Sequence, residues 1–106
     1  HDVVVASCSH LYFDYPESQT PLETVYGFEP VPAELSDAEA RHILGAQAQL
    51  WSDNHPTEPE IERLVYPRAC AVAEGVWTPA ASRAYADFQQ RLSIHAGRMA
   101  RLGIFW

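Results

Sequence analysis

The stretch Asp2–Cys8, "DVVVASC", decides how the rest of the chain is interpreted. It is a continuous apolar run after its first residue, and polar and apolar residues do not alternate along it. A strand covered on both faces of a parallel sheet has this pattern, whereas a half-exposed strand alternates. Because such a sheet needs helices to cover it, the stretch predicts an α/β architecture.

A second buried strand is predicted at Ile43–Trp51, "ILGAQAQLW", where small residues would let neighbouring backbone approach closely. A helix stays open as the alternative there, because Ala, Gln and Leu favour helices. Between the strands, residues 9–32 predict a long loop with at most one helical turn, near "LETVYGF". The Ser36 and Glu39 spacing is that of a capping box and predicts a short helix through about His42.

Two longer helices are predicted in the second half of the chain. Thr57 opens a second capping-box pattern, and the helix that follows extends to Trp77 with a bend at Pro67. The last helix is predicted to begin with Pro79 in its first turn and to end at Gly103. Strands that alternate with helices, with a long loop after each strand, describe part of an α/β fold, whether barrel or open sheet.

Composition limits the possible partners. The chain has 106 residues, 47% of them apolar, which corresponds to one domain. Its net charge is −7, and all seven basic residues are unclustered arginines, so neither nucleic acid nor a membrane is expected as a partner. The spacing of Cys8 and Cys70 neither proves nor excludes a disulfide, and two small buried thiols are the favoured interpretation. Since the chain opens at His1 without a methionine, we expect it to be a piece of something longer.

Aromatic and acidic side chains follow both predicted strands. Tyr12, Asp14 and Tyr15 come after the first strand, and Trp51 and Asp53 come after the second. If the strands are parallel neighbours, the two groups face one cavity. An aromatic ring under a sugar, with carboxylates that accept hydrogen bonds from its hydroxyls, makes a carbohydrate site. The alternative is that these aromatic residues merely close the edge of the core.

Other polar clusters are interpreted as structural. The five histidines do not have the spacing of a metal site, so neither a metal nor a cofactor is expected. The cluster of Ser7, Ser9 and His10 lacks the sequence context of a catalytic triad. Glu74 lies in an apolar run, and a structural ion pair with Arg68 is the favoured interpretation.

Five blocks in order resemble the C-terminal part of the family-20 glycoside hydrolases, the β-N-acetylhexosaminidases. The blocks are "SHLYFDYPES" (9–18), "VYGFEPVPAELS" (25–36), "HILGAQAQLWSD" (42–53), "VYPRACAVAEGVWTP" (65–79) and "LGIFW" (102–106). The resemblance implies that residues 1–106 are a C-terminal fragment of a (β/α)8 TIM barrel, namely its last two β/α units and terminal helix. The upstream part of the barrel would then be missing from this chain.

The resemblance also implies an activity and residue roles. The family removes terminal N-acetylglucosamine or N-acetylgalactosamine, with retention, through attack by the substrate's own acetamido oxygen. Tyr12 resembles the tyrosine that orients this acetamido group, Asp14 an aspartate that binds a peripheral hydroxyl, and Trp51 the floor under the sugar. Asp53 stands where the family usually has a glutamate, which is a departure by one methylene.

The family's general acid is the glutamate of an Asp-Glu pair, and this chain contains no such dipeptide. The isolated chain is therefore expected to be inactive, and the remainder of the barrel or other chains would have to cover its free strand edges. The alternative is a stand-alone, non-catalytic module that binds carbohydrate or oligomerises. The family resemblance would suit a secreted or periplasmic protein, but the sequence leaves the localisation open.

Overall fold

A computed structural model describes residues 1–54 and 57–106 of the chain. Its strands are β1 (Val3–Val5) and β2 (Ile43–Ala46). Its α-helices are α1 (Cys8–Leu11), α2 (Leu22–Tyr26), α3 (Asp37–Ala40), α4 (Glu58–Trp77) and α5 (Tyr85–Ala100). Short 3-10 turns lie at Ser52–Asn54 and Ala80–Ser82.

The two strands pair in parallel, as their sequence pattern predicts. Val3 is opposite Ile43 and Val4 is opposite Gly45, so Leu44 is an extra residue that makes a bulge in β2. The helix alternative for 43–51 is wrong, but both strands are shorter than predicted. The regular ladder ends at Ala46 because the chain after β1 turns directly into α1 instead of continuing beside β2.

The core lies where α2 packs against α4, next to the segment that follows β1. Its buried members are Phe13, Val25, Tyr26, Ala71 and Phe88. Each large apolar side chain that is fully removed from water contributes about 1.5–3 kcal/mol to stability. Helix α4 is therefore the central support, because it contacts α2, α5 and β2.

Two burial predictions are wrong. Val3 and Val4 are 44% and 49% exposed, although the first strand is predicted to be covered on both faces. Their exposure follows from the size of the sheet, which has only two strands in the described part of the chain. Cys8, predicted to be buried, is exposed at the start of α1, and Cys70 is half-buried by α4 and α5.

The helix boundaries confirm some of the capping predictions. Ser36 and Glu39 form both bonds of a capping box at the start of α3. Thr57 precedes α4 but makes no side-chain bond to the helix backbone; its hydroxyl donates to Glu60 Oε2 at 2.5 Å instead. Helix α4 continues through Pro67, and the bend there stays a prediction. The predicted polar turn before α4 includes residues 55–56, which lie outside the described residues.

Two other boundaries differ from their predictions. Residues 9–32 contain α2 and most of α1, more helix than the single turn expected. The last helix begins at Tyr85 rather than at Pro79, because the residues after that proline form the 3-10 turn. After α5 the chain turns at Gly103, which has a φ of 84°, and Trp106 stacks on Tyr66 of α4 with a ring-centroid distance of 6.2 Å.

Gly45 and Gly97 provide a matched test of the bulge. The φ of Gly45 is 148°, a conformation that L-residues rarely adopt, so Gly45→Ala should destabilise the protein by about 1–3 kcal/mol. Gly97 lies in α5 with open space where a Cβ would be, so Gly97→Ala should stabilise by about 0.5–1 kcal/mol. Urea unfolding of both variants checks this, and equal effects of the same sign would contradict the bulge geometry.

Candidate functional site

Beyond β1 and β2, two further segments of the chain pair through their backbones, at the edge of the sheet where the carboxyl ends of the strands lie. Tyr12 forms a parallel bridge with Gln49. The Phe13 amide donates to the Gln49 carbonyl at 2.7 Å, and the Gln49 amide donates to the Leu11 carbonyl at 2.8 Å. We call residues 11–15, together with their partner Gln49, the strand-end junction. It joins the segment that carries Tyr12 to the segment that leads into Trp51.

Burial alternates along the first segment of the strand-end junction. Leu11 and Phe13 are buried, with 0% and 2% of their surface exposed, whereas Tyr12 and Asp14 are half-buried. Tyr12 has extended backbone angles, in which successive side chains point to opposite faces. Tyr12 therefore points away from the neighbouring core residues Leu11 and Phe13, while the turn begins at Phe13 and includes Asp14.

The segment that follows Gln49 also has a buried side and an exposed side. Leu50 packs against the core, while the neighbouring Trp51 is 60% exposed. Asp53 is exposed in the 3-10 turn that follows. The structure thus places the segments that carry all four predicted residues at one edge of the sheet, with Trp51 exposed and Tyr12 half-buried. A groove of about 560 Å³ lies at the other end of β2, near Leu44 and Trp77, and does not include them.

Arg68 holds the strand-end junction through hydrogen bonds from its buried side chain, a role that we did not predict from the sequence. Its side chain is fully buried, and its guanidinium lies over the Phe13 ring, 4.6 Å from the ring centroid. It donates to the carbonyl oxygens of Phe13 at 2.6 Å, Tyr15 at 3.2 Å and Leu64 at 2.8 Å. Burial lowers the pKa of Arg68, but arginine is protonated at any physiological pH. The sequence feature that could have indicated this role is a charged residue inside the apolar run of a predicted helix.

The predicted ion pair between Arg68 and Glu74 is therefore wrong. The two residues are six apart on α4, and only residues three or four apart lie side by side on a helix. Glu74 pairs instead with Arg91 of α5, through two bonds of 2.6 and 2.7 Å. The Tyr26 hydroxyl also donates to Glu74, at 3.3 Å, so this carboxylate connects α2, α4 and α5.

Hydrogen bonds and burial shift the pKa values of Glu74 and Tyr26 in this ion-pair network. The bonds from Arg91 hold the pKa of Glu74 below its ordinary value. Burial, followed by the nearby Glu74 charge, raises the pKa of Tyr26. At the strand-end junction, a hydrogen bond with the Cys8 thiol is the main cause of a raised pKa at Tyr15.

The serine and histidine cluster lies close to the strand-end junction. Ser7 Oγ and Ser9 Oγ lie 3.1 and 2.8 Å from His10 Nδ1, and the His10 ring packs against Phe28. Among the hydrogen bonds of the described residues, none joins His10 to a carboxylate. The interpretation of this cluster as structural stays a prediction.

The described part of the chain contains neither a group of metal ligands nor a helix that could span a membrane. Within residues 1–54 and 57–106, no three His, Cys, Asp or Glu side chains are grouped closely enough to hold a metal ion. His55, one of the five histidines, lies outside that part of the chain. No helix in the described ranges is both long and apolar enough to cross a membrane.

Solved structures define the class of protein to which this geometry corresponds. The chain resembles the exo-β-N-acetylglucosaminidase of Vibrio harveyi, solved in complex with N-acetylglucosamine, with a TM-score of 0.86 and 27% identity. The match covers 97% of this chain and 18% of that one. A β-N-acetylhexosaminidase from Streptomyces coelicolor shares the fold, with a TM-score of 0.82 over 98% of this chain. The class of protein whose fold this chain shares is therefore the glycoside hydrolases.

Sequence comparisons identify the family. The catalytic domain of glycosyl hydrolase family 20 matches residues 1–80, and the chain belongs to that family. It is 38% identical to a β-hexosaminidase of Porphyromonas gingivalis over 98% of its length, and 31% identical to one of Akkermansia muciniphila over 89%. The chain spans only 15% and 21% of those two proteins. The predicted resemblance is confirmed, while the roles of Tyr12, Asp14, Trp51 and Asp53 stay predictions.

Glu74→Gln tests the ion-pair network. The pKa of Glu74 is depressed in the folded state, so its contribution is present above its unfolded pKa of about 4.3 and is lost as pH falls through the folded value. We expect the variant to lose about 1 kcal/mol of unfolding free energy at pH 7, because Arg91 is half exposed. The difference from wild type should shrink below about pH 4.

Asp87→Asn is the matched control for this prediction. Asp87 bonds the same Arg91 at 2.8 Å, but its side chain is 65% exposed against 10% for Glu74. Asp87→Asn should therefore lower the free energy of unfolding by only a few tenths of a kcal/mol. Urea unfolding between pH 3 and pH 7 measures both variants, and a Glu74→Gln protein as stable as wild type at pH 7 would contradict the network.

Proposed function

We propose that the protein containing this chain is a β-N-acetylhexosaminidase that removes terminal N-acetylglucosamine or N-acetylgalactosamine. The strand-end junction is the observation that carries the proposal. It fixes Tyr12 beside the segment that leads to Trp51, in a chain of glycosyl hydrolase family 20. The reaction is substrate-assisted: the acetamido oxygen of the sugar attacks its own anomeric carbon, so no protein nucleophile is required.

Tyr12 would orient the nucleophile. Its phenol donates a hydrogen bond to the acetamido oxygen and holds it under the anomeric carbon. Such a bond acts through proximity, and it also stabilises the charge of the oxazolinium-like intermediate. The half-buried position of Tyr12 supports this role, because a phenol anchored by its backbone loses little freedom when the sugar binds.

The other three residues would bind the rest of the sugar. The exposed indole of Trp51 offers an apolar surface for the pyranose ring. Asp14 would accept a hydrogen bond from a peripheral hydroxyl, and Asp53 would accept from hydroxyls on the opposite rim. Because aspartate is one methylene shorter than the family's usual glutamate, a water molecule would complete the Asp53 contact.

The chain would supply the last two β/α units and the terminal helix of a (β/α)8 barrel. The exposed side chains of Val3, Val4 and Leu44 support this, since the remaining strands and helices of a barrel would cover them. The same exposure also favours the second candidate, a stand-alone module whose sheet is covered by further copies of itself. In the first case the general acid comes from outside these 106 residues.

Tyr12→Phe in the protein that contains this chain tests the proposed reaction. Removing one donor to a developing charge should lower kcat by roughly 10²–10³-fold on an aryl N-acetyl-β-glucosaminide. Tyr66→Phe is the matched control, because Tyr66 lies on α4 and stacks on the C-terminal Trp106, and the kcat of this variant should stay within about twofold. Wild-type activity that is equal on an aryl β-glucoside without the acetamido group would refute the substrate-assisted reaction.

The isolated 106-residue chain separates the two candidates. We expect no hydrolysis, because general acid catalysis alone contributes ~10²–10⁴-fold and the chain lacks the Asp-Glu pair. Hydrolysis that persists through purification would contradict this expectation. Analytical ultracentrifugation with an N-acetylglucosamine titration adds the second measurement: a discrete multimer that binds the sugar would favour the stand-alone module.

A further inference from the structure

The contacts of Arg68 lie on both sides of a predicted sugar-binding residue. Its Nη2 bonds the carbonyl of Phe13 and its Nη1 bonds the carbonyl of Tyr15, so Asp14 lies between the two bonded residues. Nε donates back to Leu64, one turn earlier on α4. The side chain therefore connects the central helix of the fold to the loop that carries the candidate site.

A guanidinium suits this position better than any other side chain. Its two terminal nitrogens form a rigid, planar fork and can reach two separate carbonyl oxygens, while the bond from Nε to Leu64 fixes the plane of the fork. A lysine ammonium is a single point charge on a flexible stem and cannot hold both carbonyls in the same geometry. The Phe13 ring below the guanidinium adds a cation–π contact.

We infer that Arg68 is a positioning residue for Tyr12 and Asp14, acting through the main-chain carbonyls of Phe13 and Tyr15. This rests on the proposed function, in which Tyr12 and Asp14 contact the sugar. Arg68 is fully buried and contacts the core side of the segment, so it acts without touching the substrate.

Two independent sets of bonds hold this segment. Gln49 holds its edge through two backbone hydrogen bonds, and Arg68 holds its carbonyls from the core side. Without the guanidinium, the buried Phe13 carbonyl loses its 2.6 Å partner and the segment shifts to find another. A displacement of about 1 Å at a reacting group can cost roughly 10²-fold in rate.

The test compares Arg68→Lys and Arg68→Ala with Glu74→Gln, in the protein that contains this chain. Arg68→Lys should lower kcat by roughly 10-fold and Arg68→Ala by roughly 10²-fold, with a smaller rise in KM, because Asp14 shifts while the Trp51 surface is unaffected. Added guanidinium ion should restore part of the kcat of Arg68→Ala. Glu74→Gln disturbs the same helix without touching the strand-end junction, and its kcat should stay within about twofold.

Amide hydrogen exchange gives a second readout that does not depend on activity. The Phe13 amide is bonded to Gln49, so its protection reports the position of the segment. The protection of the Phe13 amide should fall at least about tenfold in Arg68→Lys and stay unchanged in Glu74→Gln. If the wild-type protein hydrolyses no N-acetylhexosaminide, the proposed function fails, but this exchange measurement still tests the positioning.

Two results would overturn the inference. One is a protected Phe13 amide together with wild-type kcat in Arg68→Lys. The other is an equal loss of kcat in Arg68→Lys and Glu74→Gln together with no rescue of Arg68→Ala by guanidinium, which would mean that Arg68 only stabilises the fold.

Discussion

The two main-chain hydrogen bonds between the Leu11–Phe13 segment and Gln49 are the constraint on which the rest of the candidate site depends. The strands separate after Val5 and Ala46, since the chain turns into α1, and without this second pairing the two aromatic segments would lie on independent loops. The bonds restore the parallel register for one more residue pair. Because backbone bonds fix position regardless of side chains, the placement of Tyr12 next to the segment of Trp51 survives variation at both residues.

Helix α4 connects the strand-end junction to the other helices. One of its faces supplies Arg68 and Ala71, which pack beneath the strand-end junction and α2. Glu74 lies one turn after Ala71, where it pairs with Arg91 of α5 and accepts a bond from Tyr26 of α2. The polar groups inside the helix thus have separate partners, and each satisfies the requirement that a buried charge be bonded.

The sequence predicted the presence of the strands and helices better than the residues at which they begin and end. A continuous apolar run identified the parallel strand, and the capping box identified α3, because both signals are local. The start of α5 was missed because Pro79 suits a helix start equally well when it precedes a 3-10 turn. The partner of Glu74 and the bonds of Arg68 were missed because they join residues 17 and 53–55 positions apart, which no local pattern encodes. Trp51 and Tyr12 were found at one sheet edge because parallel strands bring their carboxyl ends together.

The exposed strands and the well-bonded strand-end junction have different consequences for the proposed enzyme. Val3, Val4 and Leu44 have exposed apolar surface, which the remaining strands and helices of the proposed barrel would cover. The segment of Tyr12, by contrast, is anchored by Leu11, Phe13, Gln49 and Arg68, all of which belong to this chain. In the proposed barrel, the remaining strands would therefore supply the acid and close the pocket. The tyrosine that orients the acetamido group would already be in place, because its geometry depends on contacts made within these 106 residues.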